Sequence, residues 1–220
     1  MKTTSPELPS SNRNTHHSAT SPPGQPQLSP ASATLSEPAK LPVQVRWMIR
    51  RDLKHVVDIE SQVFGAYAWS ESQFIDSLRQ RNVIGLVAEF KHPRCETESI
   101  VGFVVYELHR RSLVIQNLAV DPGCQRHWVA TELIGKLIAK LSPQRRSIIR
   151  VKVRESNLAA LKFFASCGFE AVKVLRNECE YLHMDDAIGG REDAYLMQYV
   201  ADDADCESAK EDANTECEGV

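Results

Sequence analysis

Residues 117–133, NLAVDPGCQRHWVATEL, run an apolar strand into an amphipathic helix through one polar turn. Leu113 to Val120 is largely apolar, Asp121-Pro122-Gly123 ends the run, and Val129, Leu133, Leu137 and Leu141 then recur every four residues. That spacing stacks side chains on one face of a helix and predicts a helix over 127–141. A strand feeding a helix N-terminus through a short loop gathers unpaired backbone N–H groups where an anion can meet them. Gln125-Arg126-His127 adds a fixed cation. Such a turn suits a diphosphate.

The flanking chain supplies a sheet for this unit to pack on. Val45 to Arg50, Ile84 to Phe90, Ile100 to Leu108, Ser147 to Arg154, Phe169 to Leu175 and Glu192 to Tyr199 read as strands. Leu113 to Val120 pairs with Ile100 to Leu108 as a hairpin around His109-Arg110-Arg111. Asp52 is placed to cap a helix carrying Val56, Ile59 and Val63 on its apolar face, and Ser70 one carrying Phe74, Ile75 and Leu78. Asn157 opens a helix with Ala160, Leu161 and Phe164 turned inward, and Gly168 ends it. The predicted order is βααβββαβαββ.

Hydrophobic residues make up 42% of the chain, enough for a core, but they are not evenly spread. Residues 1–44 are mostly Ser, Thr, Pro, Asn and Gln, too poor in large apolar side chains to offset their ordering entropy, and read as a disordered arm. The arm has neither a continuous apolar run nor the arginines of a transit peptide. Residues 201–220 carry eight acidic side chains against Lys210, a disordered tail of net −7. The whole chain is −3, so everything before the tail sums to +4. No stretch reaches 18 apolar residues, which argues against a membrane helix. The six cysteines form no C-x-x-C pair, so free thiols in a cytoplasmic setting are expected, and no metal site.

The turn resembles the acetyl-CoA signature of the GNAT superfamily, V-x-P-x-x-[QR]-x-x-G-x-[GA]. Val120, Pro122, Gln125 and Ala130 match at the right spacing, and Trp128 stands where the pattern has its first glycine. Val153-Arg154-Glu155-Ser156-Asn157, Cys167-Gly168-Phe169, and Arg191-Glu192-Asp193-Ala194 before Met197 extend the likeness. Ala68-Trp69-Ser70-Glu71 is similar to the P-W-S-E loop of one branch. Together these residues resemble the bacterial ribosomal-protein-alanine N-acetyltransferases over roughly residues 45–200.

The resemblance implies an α/β GNAT fold, a mixed sheet in which the parallel strands 113–120 and 147–154 splay apart around acetyl-CoA. It implies acetyl transfer to an amine, above all a protein or peptide N-terminal α-amine, with no nucleic-acid or membrane partner. The backbone of Leu118, Ala119 and Val120 would meet the pantetheine arm. The N–H groups of Gln125, Arg126, His127, Trp128, Val129 and Ala130 would hold the pyrophosphate, with Asn157 and Phe164 beside the arm.

Two departures bear on the chemistry. Lys152 occupies the family's general-base position and Phe164 its general-acid position. A protonated lysine accepts no proton, and phenylalanine has none to give. Alternation puts Arg150, Lys152 and Arg154 on one face of their strand, a row of cations. Glu107 and Tyr181, the latter beside Glu180 and His183, are the candidate substitutes. The competing expectation is a catalytically weak or inactive GNAT-fold module that binds acetyl-CoA or a protein partner. A third is acetylation of a small-molecule amine.

Overall fold

Each amphipathic helix of this chain must bury one stripe, and all four do so against a single sheet. The computed structural model describes residues 40–91, 98–142, 144–181 and 190–201. The arm up to residue 39 and the tail from 202 lie outside them. In chain order the elements are β1 (Val43–Trp47), α1 (Leu53–Phe64), α2 (Glu71–Leu78), β2 (Val83–Lys91), β3 (Glu98–Leu108) and β4 (Ser112–Val120). They continue with α3 (Val129–Ile138), β5 (Ile148–Arg154), α4 (Leu158–Ser166), β6 (Glu170–Tyr181) and β7 (Gly190–Val200). The spatial order β1-β2-β3-β4-β5-β7-β6 is antiparallel throughout except for the parallel pair β4–β5.

One face of the sheet packs α1 and α2 through Leu53, Val56, Ile59 and Phe74 against Val87, Phe103 and Val105. The other face receives Val129, Leu133, Ile134 and Leu137 of α3 and Phe164 of α4. Burying an aliphatic side chain of this size contributes about 1.5–3 kcal/mol, so α3 is strongly held. Gly102 of β3 makes the docking possible. A Cβ there would stand 3.0 Å from Val129 Cγ1 and 3.1 Å from the Ala119 carbonyl, so a larger residue would press on the first turn of α3.

Local chemistry sets the helix ends. Ser70 caps α2 by accepting the Gln73 N–H at 3.3 Å, while Gln73 Oε1 accepts the Ser70 N–H at 2.8 Å. Asp52 does not cap α1 as expected. Its carboxylate takes the Ile49 N–H at 2.8 Å and two bonds from Arg46 at 2.7 and 3.0 Å. Burial pushes Asp52 up, but these donors outweigh it and hold it below the usual carboxylate range. Because the chain turns at Ile49 to make this contact, β1 occupies 43–47 rather than 45–50. Helix α3 is shorter than its periodicity suggests, though Leu141 beyond its end is still buried.

The decisive feature of the sheet is a break. Strands β4 and β5 pair only from Ser112↔Ile148 to Ile115↔Val151. The β3–β4 register shifts at this point, leaving Gln116 as an extra residue between Ile115 and Asn117. A bulge bends its strand and adds twist, which carries β4 away. Strand β5 stays with β7 as far as Arg154↔Ala194. Residues 116–120 and 152–154 therefore part, and the facing edge of β4 has no ladder partner.

Candidate active site

The gap between the parting strands opens into a cleft of about 1040 Å³, lined from β4, β5, α1, α3 and α4. At one end, Leu118, Ala119 and Val120 share its wall with Gln125, Arg126, Trp128, Val129 and Ala130. Asp121 Oδ1 accepts the Gly123 N–H at 2.8 Å, and Gln125 Nε2 donates back to the Val120 carbonyl at 3.2 Å. These bonds tie the turn to the end of β4. The N-cap residue, Trp128, makes no side-chain bond to α3, which leaves the first N–H groups of the helix to the cleft wall. Exposed Arg126 adds positive charge there.

Trp128 occupies a left-handed conformation, with φ 68°. That region favours glycine, which explains the family's preference at this position as much as close approach to phosphate does. The indole is about half exposed and contributes to the cleft wall. His127, expected beside the diphosphate, is not among the cleft-lining residues; its carbonyl accepts the Leu41 N–H at 3.2 Å. Asn157 borders the cleft while its Oδ1 caps α4 through the Ala160 N–H at 3.0 Å.

The other end of the cleft is built from side chains. Its walls include Phe64, Tyr67 and Trp69 of the α1–α2 connection and Lys152, Arg154, Cys179 and Glu192 across from them. Among them is a residue the sequence reading passed over, Glu60 of α1, only 1% exposed. Its Oε1 accepts the Trp69 N–H at 2.9 Å and the Asn117 amide at 3.0 Å. Its Oε2 is buried with no hydrogen-bond partner among the described residues. Burial raises the carboxyl above its ordinary range, and the two donors only partly offset this. A signal was present in the sequence. Glu60 lies four residues from both Val56 and Phe64, so it interrupts the apolar stripe of its helix.

The cations of β5 are not bare. Arg150 donates to Gln198 at 3.3 Å, Lys152 pairs with Glu178, and Arg154 pairs with Glu192 at 2.8 Å. Lys152 holds Glu178 below the usual carboxylate range by hydrogen bonding. Burial pushes Glu192 up, but bonds from Arg154 and Ser156 more than offset it. The guanidinium of Arg154 also lies 4.5 Å over the Tyr67 ring, linking β5 to the α1–α2 turn. Two of the three cations in the expected row are thus neutralised, Lys152 by Glu178 of β6 and Arg154 by Glu192 of β7.

Phe164 is buried between Phe163 and Phe169 and borders the cleft. Glu107 stands elsewhere, engaged by Asn82 at 2.7 Å, Gln116 at 3.0 Å and His109 at 3.3 Å, and does not line the cleft. The Tyr181 side chain and His183 lie outside the described residues. Burial raises the thiols of Cys124, Cys167 and Cys179, so none is an activated thiolate. Among the described residues no group of His, Cys, Asp and Glu is arranged to hold a metal, and no helix is long and apolar enough to cross a membrane.

The family model described as the acetyltransferase (GNAT) domain matches residues 57–185. The chain belongs to the GNAT acetyltransferases. It is similar to the [ribosomal protein bS18]-alanine N-acetyltransferase of Haemophilus ducreyi, 27% identical over 70% of this chain and 97% of that one. The protein of the same name from Escherichia coli K12 is 28% identical over 66% and 89%. Among solved structures, the E. coli ribosomal-protein-S18-alanine N-acetyltransferase superposes with a TM-score of 0.59 at 25% identity, covering 74% of this GNAT chain and 97% of that one. Arabidopsis thaliana NAA60 in complex with a bisubstrate analogue gives 0.60 at 19%, covering 72% and 98%, a likeness of fold.

Proposed function

We propose that the protein transfers an acetyl group from acetyl-CoA to the α-amine of a protein N-terminus. The observation that carries this reading is the separation of β4 from β5 beyond Ile115↔Val151, which opens a cleft with different chemistry at its two ends. The uncapped start of α3 and Arg126 suit a diphosphate, and the unpaired edge of β4 suits an amide-bearing arm. Bound there, acetyl-CoA supplies the activated acetyl group. The far end, walled by Phe64, Tyr67 and Trp69, suits the first residues of a peptide. Relatives named for alanine N-acetylation make an alanine-initiated chain the first acceptor to try.

Direct attack within a ternary complex fits the raised thiols, since none of the described cysteines is poised to carry the acetyl group. An α-amine has a pKa of about 7.7–8.0 and is partly neutral near physiological pH, which lowers the demand on the protein. Titration calorimetry with acetyl-CoA, followed by mass spectrometry of an alanine-initiated peptide, tests the reading. Binding followed by a gain of one acetyl group at the peptide's α-amine is expected. Failure to bind millimolar acetyl-CoA would sink it.

A second reading, a weak or inactive module that keeps the cofactor, is favoured by Lys152, Phe164 and Trp128 standing at the family's base, acid and glycine positions. Cofactor binding without acetylation of α-amine or polyamine acceptors would favour it over transfer.

A further inference from the structure

We propose that Glu60 is the catalytic group that receives the acceptor amine and takes its proton, oriented by Asn117; this rests on the transferase reading above. A carboxylate inside an apolar helix face needs a reason, and holding the local fold is an insufficient one. The Trp69 N–H and the Asn117 amide both donate to Oε1, and the carbonyl of a glutamine would accept both bonds without burying an ionisable group. What an ionisable side chain adds is Oε2, which is buried, unpartnered and part of a residue on the cleft wall. An acceptor ammonium supplies the missing donor.

The topology puts this oxygen on the correct side. Asn117 is the second residue beyond the last β4–β5 pair, so Glu60 is tied to the stretch of β4 that faces the gap. Helix α1 covers the face of the sheet opposite α3, whose N-terminus marks the cofactor end. An amine reaching Glu60 thus meets the thioester from the face opposite the diphosphate. Oε2 is closed to water in the structure, so contact requires a small rotation of the carboxylate, a soft terminal torsion.

The surroundings leave Glu60 available. Besides Glu60, the charged and titratable groups bordering the cleft are Lys152 and Arg154 on β5, Cys179 on β6, Glu192 on β7, Tyr67 before α2, and Cys124 and Arg126 before α3. Lys152 is paired with Glu178 of β6, and Arg154 with Glu192. From α2 and β3, Phe74, Phe103 and Val105 bring only apolar surface to α1. Of the two carboxylates lining the cleft, Glu192 has a basic partner and Glu60 has none. Burial raises Glu60 toward the range in which a carboxylate accepts an amine proton more readily.

The step balances. The ammonium gives one proton to Glu60, and the freed nitrogen lone pair forms the bond to the thioester carbonyl carbon. The carbon–sulfur bond breaks with its electron pair on sulfur, and the second nitrogen proton goes to the thiolate. Glu60 returns its proton to water.

Kinetics of the full-length protein with acetyl-CoA and an alanine-initiated peptide, from pH 6.5 to 9.5, provide the test. Glu60→Gln should lower kcat/KM by about 10²-fold or more at the acid end, the usual loss for a removed base. The deficit should shrink to within about tenfold at the alkaline end, where the α-amine is neutral unaided. Calorimetric affinity for acetyl-CoA should not change. A loss equal at every pH, retained activity, or a parallel loss of cofactor affinity overturns the assignment while leaving the transferase reading standing. An unsubstituted protein that binds acetyl-CoA yet acetylates nothing overturns the reading and the assignment together. Should Glu60→Gln not fold, Asn117→Leu decides. It removes a donor to the carboxylate, so the acid limb of kcat/KM moves to higher pH, and an unmoved limb overturns the proposal.

Discussion

The two ends of the cleft are made of different material. The proposed cofactor end is backbone: the freed edge of β4, the turn 121–128 and the open first turn of α3. The proposed acceptor end is side chain: Glu60, Asn117, Tyr67, Lys152 and Phe164, drawn from α1, β4, the α1–α2 connection, β5 and α4. A backbone site tolerates changes of side chain so long as the dihedral angles survive. A side-chain site changes its chemistry with each substitution. Under the proposed function, this asymmetry accounts for a turn that resembles the family's acetyl-CoA signature while Lys152 and Phe164 stand at the positions the resemblance assigns to its base and acid.

The comparison predicts effects confined to one end. The largest is expected from Lys152→Glu combined with Phe164→Tyr, which restores both family groups and should raise kcat by up to about 10²-fold. The new carboxylate would face Glu178, and like-charge proximity would lift its pKa to suit a base. Stopped-time acetylation assays read this out; an unchanged rate would show that the acceptor end no longer depends on these positions. Next, Ala130→Glu places an anion in the first turn of α3, so acetyl-CoA should bind about tenfold more weakly by calorimetry. Peptide affinity should hold, and a shared loss would break the division between the ends.

Two smaller effects concern stability. Glu60→Gln should raise unfolding free energy at neutral pH by about 1 kcal/mol, since a neutral amide replaces a buried carboxylate. The sign follows from linkage. Burial raises the folded carboxyl pKa, so Glu60 costs no stability below its unfolded value, and the penalty grows as pH rises through the folded one. The gain should therefore vanish in denaturant melts near pH 4, and a gain independent of pH would contradict it. Trp128→Gly relieves a left-handed residue of about 1–2 kcal/mol against a glycine entropy cost of about 0.5–1 kcal/mol. A net gain near 0.5 kcal/mol is expected, with acetyl-CoA held about two- to threefold tighter.

How much of this was legible in the sequence follows the same division. Helix α3 was, because Val129, Leu133 and Leu137 repeat at four and are buried by that repeat. So were the Ser70 cap and the Gly168 stop, the latter at φ +83°. The bulge at Gln116 was not. No glycine or proline marks it, and it arises from a register between two strands rather than from either one. Glu60 showed only as a break in its helix's apolar stripe, because its partners, Trp69 and Asn117, are 9 and 57 residues away. Asp52 misled for a related reason, since Arg46 and Ile49 competed for the carboxylate a helix cap would have used.

A crystal structure of the protein with acetyl-CoA tests the central claim most directly. The account predicts the diphosphate against the N–H groups of residues 125–130 and the arm along β4 beyond Ile115, with the acetyl group between β4 and β5. Cofactor ordered anywhere else, or β4 and β5 paired through Val120 and Arg154, would contradict it.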